Sequence, residues 1–392
     1  MISVSAALQR ITENITPLPA ATMPLQLAAG KVLAEDVFAS IDIPAYPQSS
    51  MDGYAFAFDH VHQPLHITGE MAAGAAANIT LAAGNAMRIF TGAPVPAGAD
   101  TVVMQEKVRI ENGQLLIEDE QLQRSANVRA AGSEIQAGAL ALPKGSLLTA
   151  AAIGFLAGIG IAHVSVIPNP IISIILTGNE LQTPGNALQY GQVYESNSYS
   201  LTAALEALHL PVFRTYTVTD NLDALTNTLA QALHDSDVVL LTGGVSVGDY
   251  DFVLQAVQAC DITTQFHKVK QKPGKPLYFG TKEQQLVFGL PGNPSSVLTC
   301  FYIYVCNALA QLTLRPLAVP HINCTLAADS KKAAGLTHFQ KATYADGKVQ
   351  PLAAQESYKL QSFAVANCLL ELPEESTGGQ TGDTVRIHLL PQ

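Results

Sequence analysis

Val238–Asp251, VVLLTGGVSVGDYD, is the stretch on which the reading of the chain turns. It begins as an apolar run suited to a buried strand, breaks at Gly243-Gly244 and ends in two carboxylates, Asp249 and Asp251. In an open α/β fold such a strand delivers its loop to the carboxyl edge of the sheet, where ligands bind. Gly243, Gly244 and Gly248 let the backbone approach an anion and present its N–H groups. Carboxylates beside that nest would repel phosphate unless a divalent cation sat between them. The loop therefore points to a metal-assisted phosphate site, with a tight turn in an ordinary α/β domain as the alternative.

The flanking sequence has the matching rhythm. From 171 to about 318, apolar runs (IISIIL, VFRTYTVT, DVVLLT, QLVFGL) alternate with helical segments (SNSYSLTAALEALHL, DNLDALTNTLAQALHD, DYDFVLQAVQAC, NPSSVLTCFYIYVCNALAQL). That alternation predicts a doubly wound parallel sheet. Ser196 or Asn197 is the expected N-cap of the first helix. Residues 1–38 read as helical, interrupted at Pro17–Pro19. Residues 41–145 carry short alternating runs between Gly, Pro and Asn, a β signature. After Pro316 the pattern returns to β.

The 392 residues suffice for two to four domains. Charged residues are only 14% of the chain and mean hydropathy is positive, so membrane segments must be considered. Gly145–Asn179 has no Asp, Glu, Lys or Arg, but Pro168, Pro170 and several glycines break it into pieces shorter than a span. The N-terminal MISVSAALQRITENI is amphipathic and lacks a signal-peptide core. These features point to a soluble, cytoplasmic protein without a membrane. The net charge of −11 argues against a nucleic-acid partner. The five cysteines have no CxxC or zinc spacing and fit reduced, mostly buried thiols.

Four loops leave the carboxyl ends of the predicted strands: Thr177-Gly178-Asn179-Glu180, Asp220, the GGVSVGDYD loop, and Leu290-Pro291-Gly292-Asn293-Pro294-Ser295. They should crowd one edge of the sheet. Glu180, Asp220, Asp249 and Asp251 offer the hard oxygen donors Mg²⁺ prefers; each could instead be an acid at a helix N-terminus. In the fourth loop Pro294 suits the first helical turn, whose free N–H groups would make an anion site, with an ordinary well-capped helix start as the alternative. Lys268, Lys270, Lys272 and Lys275 cluster in FHKVKQKPGKPLYFG. An extended backbone would place the first three on one side, and Pro273-Gly274 would fix the backbone where Lys275 points. Phosphate or oxyanion binding is the favoured role, with a lysine-protected edge strand as the alternative.

Taken together, SSMDGYAF, RIFTGAPVPAGADTVVMQE, ILTGNEL, LLTGGVSVGDYDF, KPGKPLYFG, GLPGNPSSV and SFAVANCLL resemble the molybdopterin molybdenumtransferase family, which includes MoeA and the E domain of gephyrin. The resemblance spans nearly the whole chain in the family's order. It implies an α/β plus β multidomain protein: a discontinuous N-terminal domain (1–40 and 132–168), a β-rich inserted domain (41–131), a molybdopterin-binding α/β domain (169–318) and a small β C-terminal domain (319–392). It also implies an elongated homodimer, and the molybdopterin adenylyltransferase as a further partner. The implied reaction takes adenylylated molybdopterin and molybdate, cleaves the phosphoanhydride, places molybdenum in the dithiolene and releases AMP, with Mg²⁺ as cofactor.

By the same resemblance, Asp220, Asp251, Lys272 and Lys275 are the expected catalytic residues, and Glu180, Asp220 and Asp251 the expected metal ligands. Substrate binding is expected from Thr177, Gly178, Glu180 and Lys268, from Gly243, Gly244, Ser246 and Gly248, from Pro291, Gly292, Asn293 and Pro294, and from Ser362. Asp52 and Thr91 of the inserted domain are expected to reach the site across the dimer interface. Three departures stand out: Asn179 replaces an acid, Ala130 and Ala131 replace an arginine-rich pattern, and Glu195 and Ser198 stand where Asp and Arg are common. Two other readings remain: a binding or scaffold protein of the same fold, and an adenylylating enzyme or pyrophosphatase sharing only the α/β domain.

Overall fold

The computed structural model describes residues 1–74, 79–243 and 252–391. The chain forms two compact units, one of residues 22–166 and one of residues 1–21 with 167–392.

The smaller unit holds a six-stranded sheet in the order Thr101–Met104, Gly53–Phe56, Asn85–Ile89, Leu65–Met71, Gln114–Ile117, Val108–Glu111. Gly53–Phe56 is its buried inner strand. Gly53 of the MDGYA segment is a packing glycine: a Cβ there would lie 1.9 Å from the Val103 carbonyl oxygen. A second core, with Leu25, Leu33, Leu148, Val164 and Val166, surrounds Leu156 of the helix Ala150–Gly158. Thr149 caps that helix by accepting from the Ala152 N–H.

Within 1–38 only Val4–Glu13 is α-helical, capped by Ser3. The expectation of a longer helix fails because Pro17, Pro19 and Pro24 withdraw donors. The chain instead runs into short strands, Ala21–Pro24 and Val32–Leu33, which flank His163–Ile167.

In the larger unit the α/β sheet has the order Val212–Val218, Ile172–Thr177, Val238–Thr242, Gln285–Leu290, Tyr278–Lys282, Thr263–His267. The first four strands are parallel and the last two antiparallel. The sheet is thus mixed at one edge, where a fully parallel one was expected. Lys282 pairs with Gln285 across a two-residue turn whose Glu283 has φ 52°. A turn without Gly or Asn gives little hairpin signal in sequence. Helices Leu222–Asp235 and Phe252–Ala259 cover a core that includes Ile175, Val239, Leu241 and Val287. Pro294–Thr313 is one continuous helical run containing a π-turn at Phe301–Val305. Among the described residues it is the one helix long and apolar enough to cross a membrane, and it is mostly buried as a core helix.

The last sheet runs Gln271–Lys272, Thr337–Ala345, Lys348–Pro351, His321–Leu326, Thr384–Leu389, Cys368–Leu372, and the final strand pairs back onto Thr337–Ala345. Its strands close on a core of Leu326, Ala342, Val349, Leu370 and Ile387. All five cysteines are free and buried, as their spacing suggested.

His338 is buried in this sheet, and its Nε2 has no hydrogen-bond partner among the described residues. Burial, with Lys272 and Lys332 nearby, pulls its pKa from 6.5 down to about 4. Between those two values the unfolded chain takes up a proton that the folded chain refuses. Stability is therefore full above about pH 6.5 and falls as the pH drops toward 4, by about 3 kcal/mol at most. Urea titrations across this window should show that slope, and His338→Leu should remove its contribution.

Candidate functional site

The site begins with strand register. Leu176 lies opposite Thr242, and Thr242 opposite Leu290, so three parallel strands end level. Their loops touch at once. Gly243 has φ 86°, and a Cβ on it would lie 2.3 Å from the Thr177 carbonyl oxygen and 2.9 Å from its Oγ1. A Cβ on Gly292 would sit 3.8 Å from the Gly243 Cα. The fourth loop joins through Asp220, whose N–H donates to the Asn179 side chain at 3.2 Å. Gly178, with φ 148°, passes over the Glu180 carboxylate, which a Cβ would approach to 2.8 Å. Gly244, Ser246, Gly248, Asp249 and Asp251 lie outside the described residues.

Beside these loops opens a cleft of about 820 Å³. Glu180, Lys272, Lys275, Pro291, Gly292, Asn293 and Pro294 all line it. Both lysines are exposed. They come from a chain that bends at Pro273 and Gly274 and is not extended over its length. Consequently Lys268 and Lys270 do not share their position. Lys268 sits at φ 72° and is outside the lining, and Lys270 is paired with Glu374 at 2.7 Å.

The helix start at Pro294 is not a free anion site. The Ser295 N–H donates to the Ser357 carbonyl at 3.0 Å, and the Ser296 and Val297 N–H groups both donate to the Asn293 carbonyl at 3.0 Å. With Pro294 lacking a donor, the first turn is satisfied internally. Asn293 also donates from Nδ2 to Ser357 Oγ at 3.0 Å. The C-terminal sheet thereby supplies one wall of the cleft through Ser357 and Tyr358.

Ser362 plays a supporting part in that wall. It is nearly buried, outside the cleft lining, and donates to the Ala354 carbonyl at 2.8 Å. Lys341, also buried, donates from Nζ to the carbonyls of Ala354, Glu356 and Lys359. Burial lowers its pKa. In the smaller unit Asp52 and Thr91 form a pair: one Asp52 carboxylate oxygen accepts from the Thr91 N–H and from its hydroxyl, both at 2.8 Å. Those two bonds, with Arg88 nearby, hold the Asp52 pKa below the usual carboxylate value.

Glu180 and Asp220 are exposed carboxylates at the sheet edge, without ion pairs among the described residues. No cluster of three or more His, Cys, Asp or Glu suited to a metal occurs among the described residues. Two free carboxylates on adjoining loops still match the sparse protein ligation typical of Mg²⁺.

Several residues of the cleft carry little sequence signal. Glu195 lines it and caps the helix Asn197–Ala207: the Ser198 N–H and hydroxyl donate to its two oxygens at 2.8 and 2.6 Å. Ser196 occupies the cap position without making a side-chain cap bond. The acid three residues before Ser198 was the available clue. Asn197 donates from Nδ2 to the Gly292 carbonyl at 2.9 Å, while its buried Oδ1 has no partner among the described residues. Thr177 Oγ1 is also buried without one among the described residues.

Comparison with known proteins agrees with this architecture. The descriptions "MoeA N-terminal region (domain I and II)", "Probable molybdopterin binding domain" and "MoeA C-terminal region (domain IV)" match residues 2–160, 173–311 and 323–390. A molybdopterin molybdenumtransferase of Haemophilus influenzae is 33% identical over the full length of both chains. One from Nostoc is 36% identical, covering 94% of this chain and 88% of its own. A molybdopterin biosynthesis MoeA protein of Pyrococcus horikoshii superposes with a TM-score of 0.83 at 27% identity, covering 99% of each chain. The likeness extends well beyond the α/β domain, which removes the reading of an enzyme sharing that domain alone, and the scaffold reading is not favoured. The chain belongs to the molybdopterin molybdenumtransferase family, enzymes of molybdenum cofactor biosynthesis.

Proposed function

We propose that the cleft takes adenylylated molybdopterin and molybdate, and that the chain cleaves the phosphoanhydride, passes molybdenum to the dithiolene and releases AMP. The observation that carries this reading is that Lys272 and Lys275 line one cleft with Glu180 and Gly292, and that Gly292 lies against Gly243, which in turn packs on Thr177. Both substrates are polyanions, and in a chain of net charge −11 a local pair of lysines supplies the necessary attraction. Lys272 and Lys275 neutralise phosphate and molybdate oxygens. Gly243 offers close backbone approach to the phosphate, with Asn197 and Thr177 offering further polar contacts. Lys268 and Ser362 act from behind the cleft rather than in it.

Mg²⁺ is the proposed cofactor, held by Glu180, Asp220 and Asp251, where it would offset charge on the anhydride. Asp251 is the residue proposed for bond cleavage. We also propose a homodimer in the cytoplasm, with Asp52 and Thr91 serving the partner's site, four domains as divided above, and the molybdopterin adenylyltransferase as the supplier of substrate.

The test is AMP release from adenylylated molybdopterin with Mg²⁺, with and without molybdate. Molybdate-dependent release is expected; binding without cleavage would overturn the enzymatic reading. Asp251→Asn should abolish release while leaving the unfolding midpoint unchanged, and retained turnover would remove Asp251 from the mechanism. Loss of one charged contact at Lys275→Ala should raise the half-saturating molybdate concentration roughly tenfold. An unchanged molybdate titration would make that lysine structural.

A further inference from the structure

The lysine loop is held from behind by a buried polar pair, Gln271 of the strand Gln271–Lys272 and Tyr304 of the core helix. Gln271 is fully buried immediately before Lys272. Its Nε2 donates to the Pro273 carbonyl at 3.0 Å and the Gly274 carbonyl at 3.2 Å. Both partners are acceptors only, so the amide orientation is settled: nitrogen faces the loop and Oε1 faces away. Oε1 accepts from the hydroxyl of Tyr304, which is itself fully buried. Tyr304 stands in the π-turn Phe301–Val305, the only π segment among the described residues. A π-turn widens the helix locally and re-aims its side chains, and such turns recur at functional sites. Gly274, at φ 84°, is packed against the same pair: a Cβ there would lie 2.5 Å from Cys300 Sγ and 2.8 Å from Gln271 Nε2.

We propose that Gln271 and Tyr304 are positioning residues for the reaction, fixing the backbone between Lys272 and Lys275 so that both ammonium groups are presented to the anionic substrate. The two carbonyls they hold lie between the lysines in sequence, and the Lys275 carbonyl is pinned separately by the Val269 N–H at 3.0 Å. A lysine side chain has large rotamer entropy, and a loose backbone would add to the cost of ordering it on binding. Preorganised charge avoids that cost when substrate arrives. A buried hydroxyl–amide pair is costly to assemble in a core that apolar side chains could fill. The geometry gives it a use: Gln271 borders the cleft but its side chain is fully buried and spent on the loop carbonyls, Tyr304 lies outside the lining, and both act through the loop.

This inference rests on the proposed function for the identity of its ligands, and the experiment separates the two. Tyr304→Phe and Gln271→Met are made in the full chain beside a core variant, Val349→Ala, in the C-terminal sheet. Each is measured for molybdate dependence of AMP release, for AMP affinity by calorimetry, for unfolding midpoint, and for amide exchange in the segment 270–277. For Tyr304→Phe and Gln271→Met we expect half-saturating molybdate to rise about tenfold, kcat to change less than about twofold, AMP to bind more weakly, and exchange at 270–277 to accelerate. Val349→Ala should lower the unfolding midpoint without these changes. Equal effects in all three variants, or wild-type molybdate dependence with unchanged exchange in the first two, would overturn the positioning role. Should the wild type release no AMP, the functional reading fails, and exchange at 270–277 with AMP affinity still decides the role of the pair. If one variant does not fold, the other carries the comparison.

Discussion

The close seat of Gly243 on the Thr177 carbonyl is the constraint on which the site depends. Two neighbouring parallel strands end level, and their loops must cross within less than the radius of a side chain. Only a residue without Cβ and tolerant of positive φ can stand there. Gly292 completes the contact from the third strand. Parallel strands in register put their carboxyl ends at one edge, and a crevice forms where the loops diverge. Among the described residues, Glu180, Pro291, Gly292 and Asn293 bring the strand ends to the cleft, and Ser357 and Tyr358 form one of its walls.

Charge is then placed against the bulk of the protein. The chain is acidic overall, yet the cleft receives Lys272 and Lys275 from a loop anchored by the buried Gln271 and Tyr304. The donors of the first turn after Pro294 are engaged by Asn293 and Ser357, so they serve to dock the C-terminal wall. Lys341 and Ser362 stiffen that wall by bonding the carbonyls of its connecting loop. The cations that line the cleft are Lys272 and Lys275, both exposed.

Much of the fold was legible because its signals are local. The alternation of IISIIL, VFRTYTVT, DVVLLT and QLVFGL with helical segments appears as four parallel strands and their helices. The antiparallel edge escaped because Glu283 forms its tight turn without a glycine or asparagine. The helix expected through residue 38 stops at Glu13, since successive prolines outweigh apolar periodicity. The lysine cluster 268–275 and the Pro291–Pro294 loop stood out in composition and spacing, while the choice of Lys272 and Lys275 within that cluster came from the family resemblance. Gln271 and Tyr304 did not stand out, because a buried polar residue looks in sequence like any other, and Glu195 and Asn197 were named from the sequence without a place in the cleft lining.

The sequence by itself determined the alternation of elements, the glycines at the loop crossings, and the family to which the chain belongs, since each is written in residue type and short spacing. The tertiary structure decided which lysines face the cleft, which amides are already spent, and which buried groups hold the loop. Those outcomes depend on contacts between residues tens of positions apart, such as Gln271 with Tyr304 and Asn293 with Ser357. A hydrogen-bonding group has no partner until the chain has folded, so its role cannot be read before then.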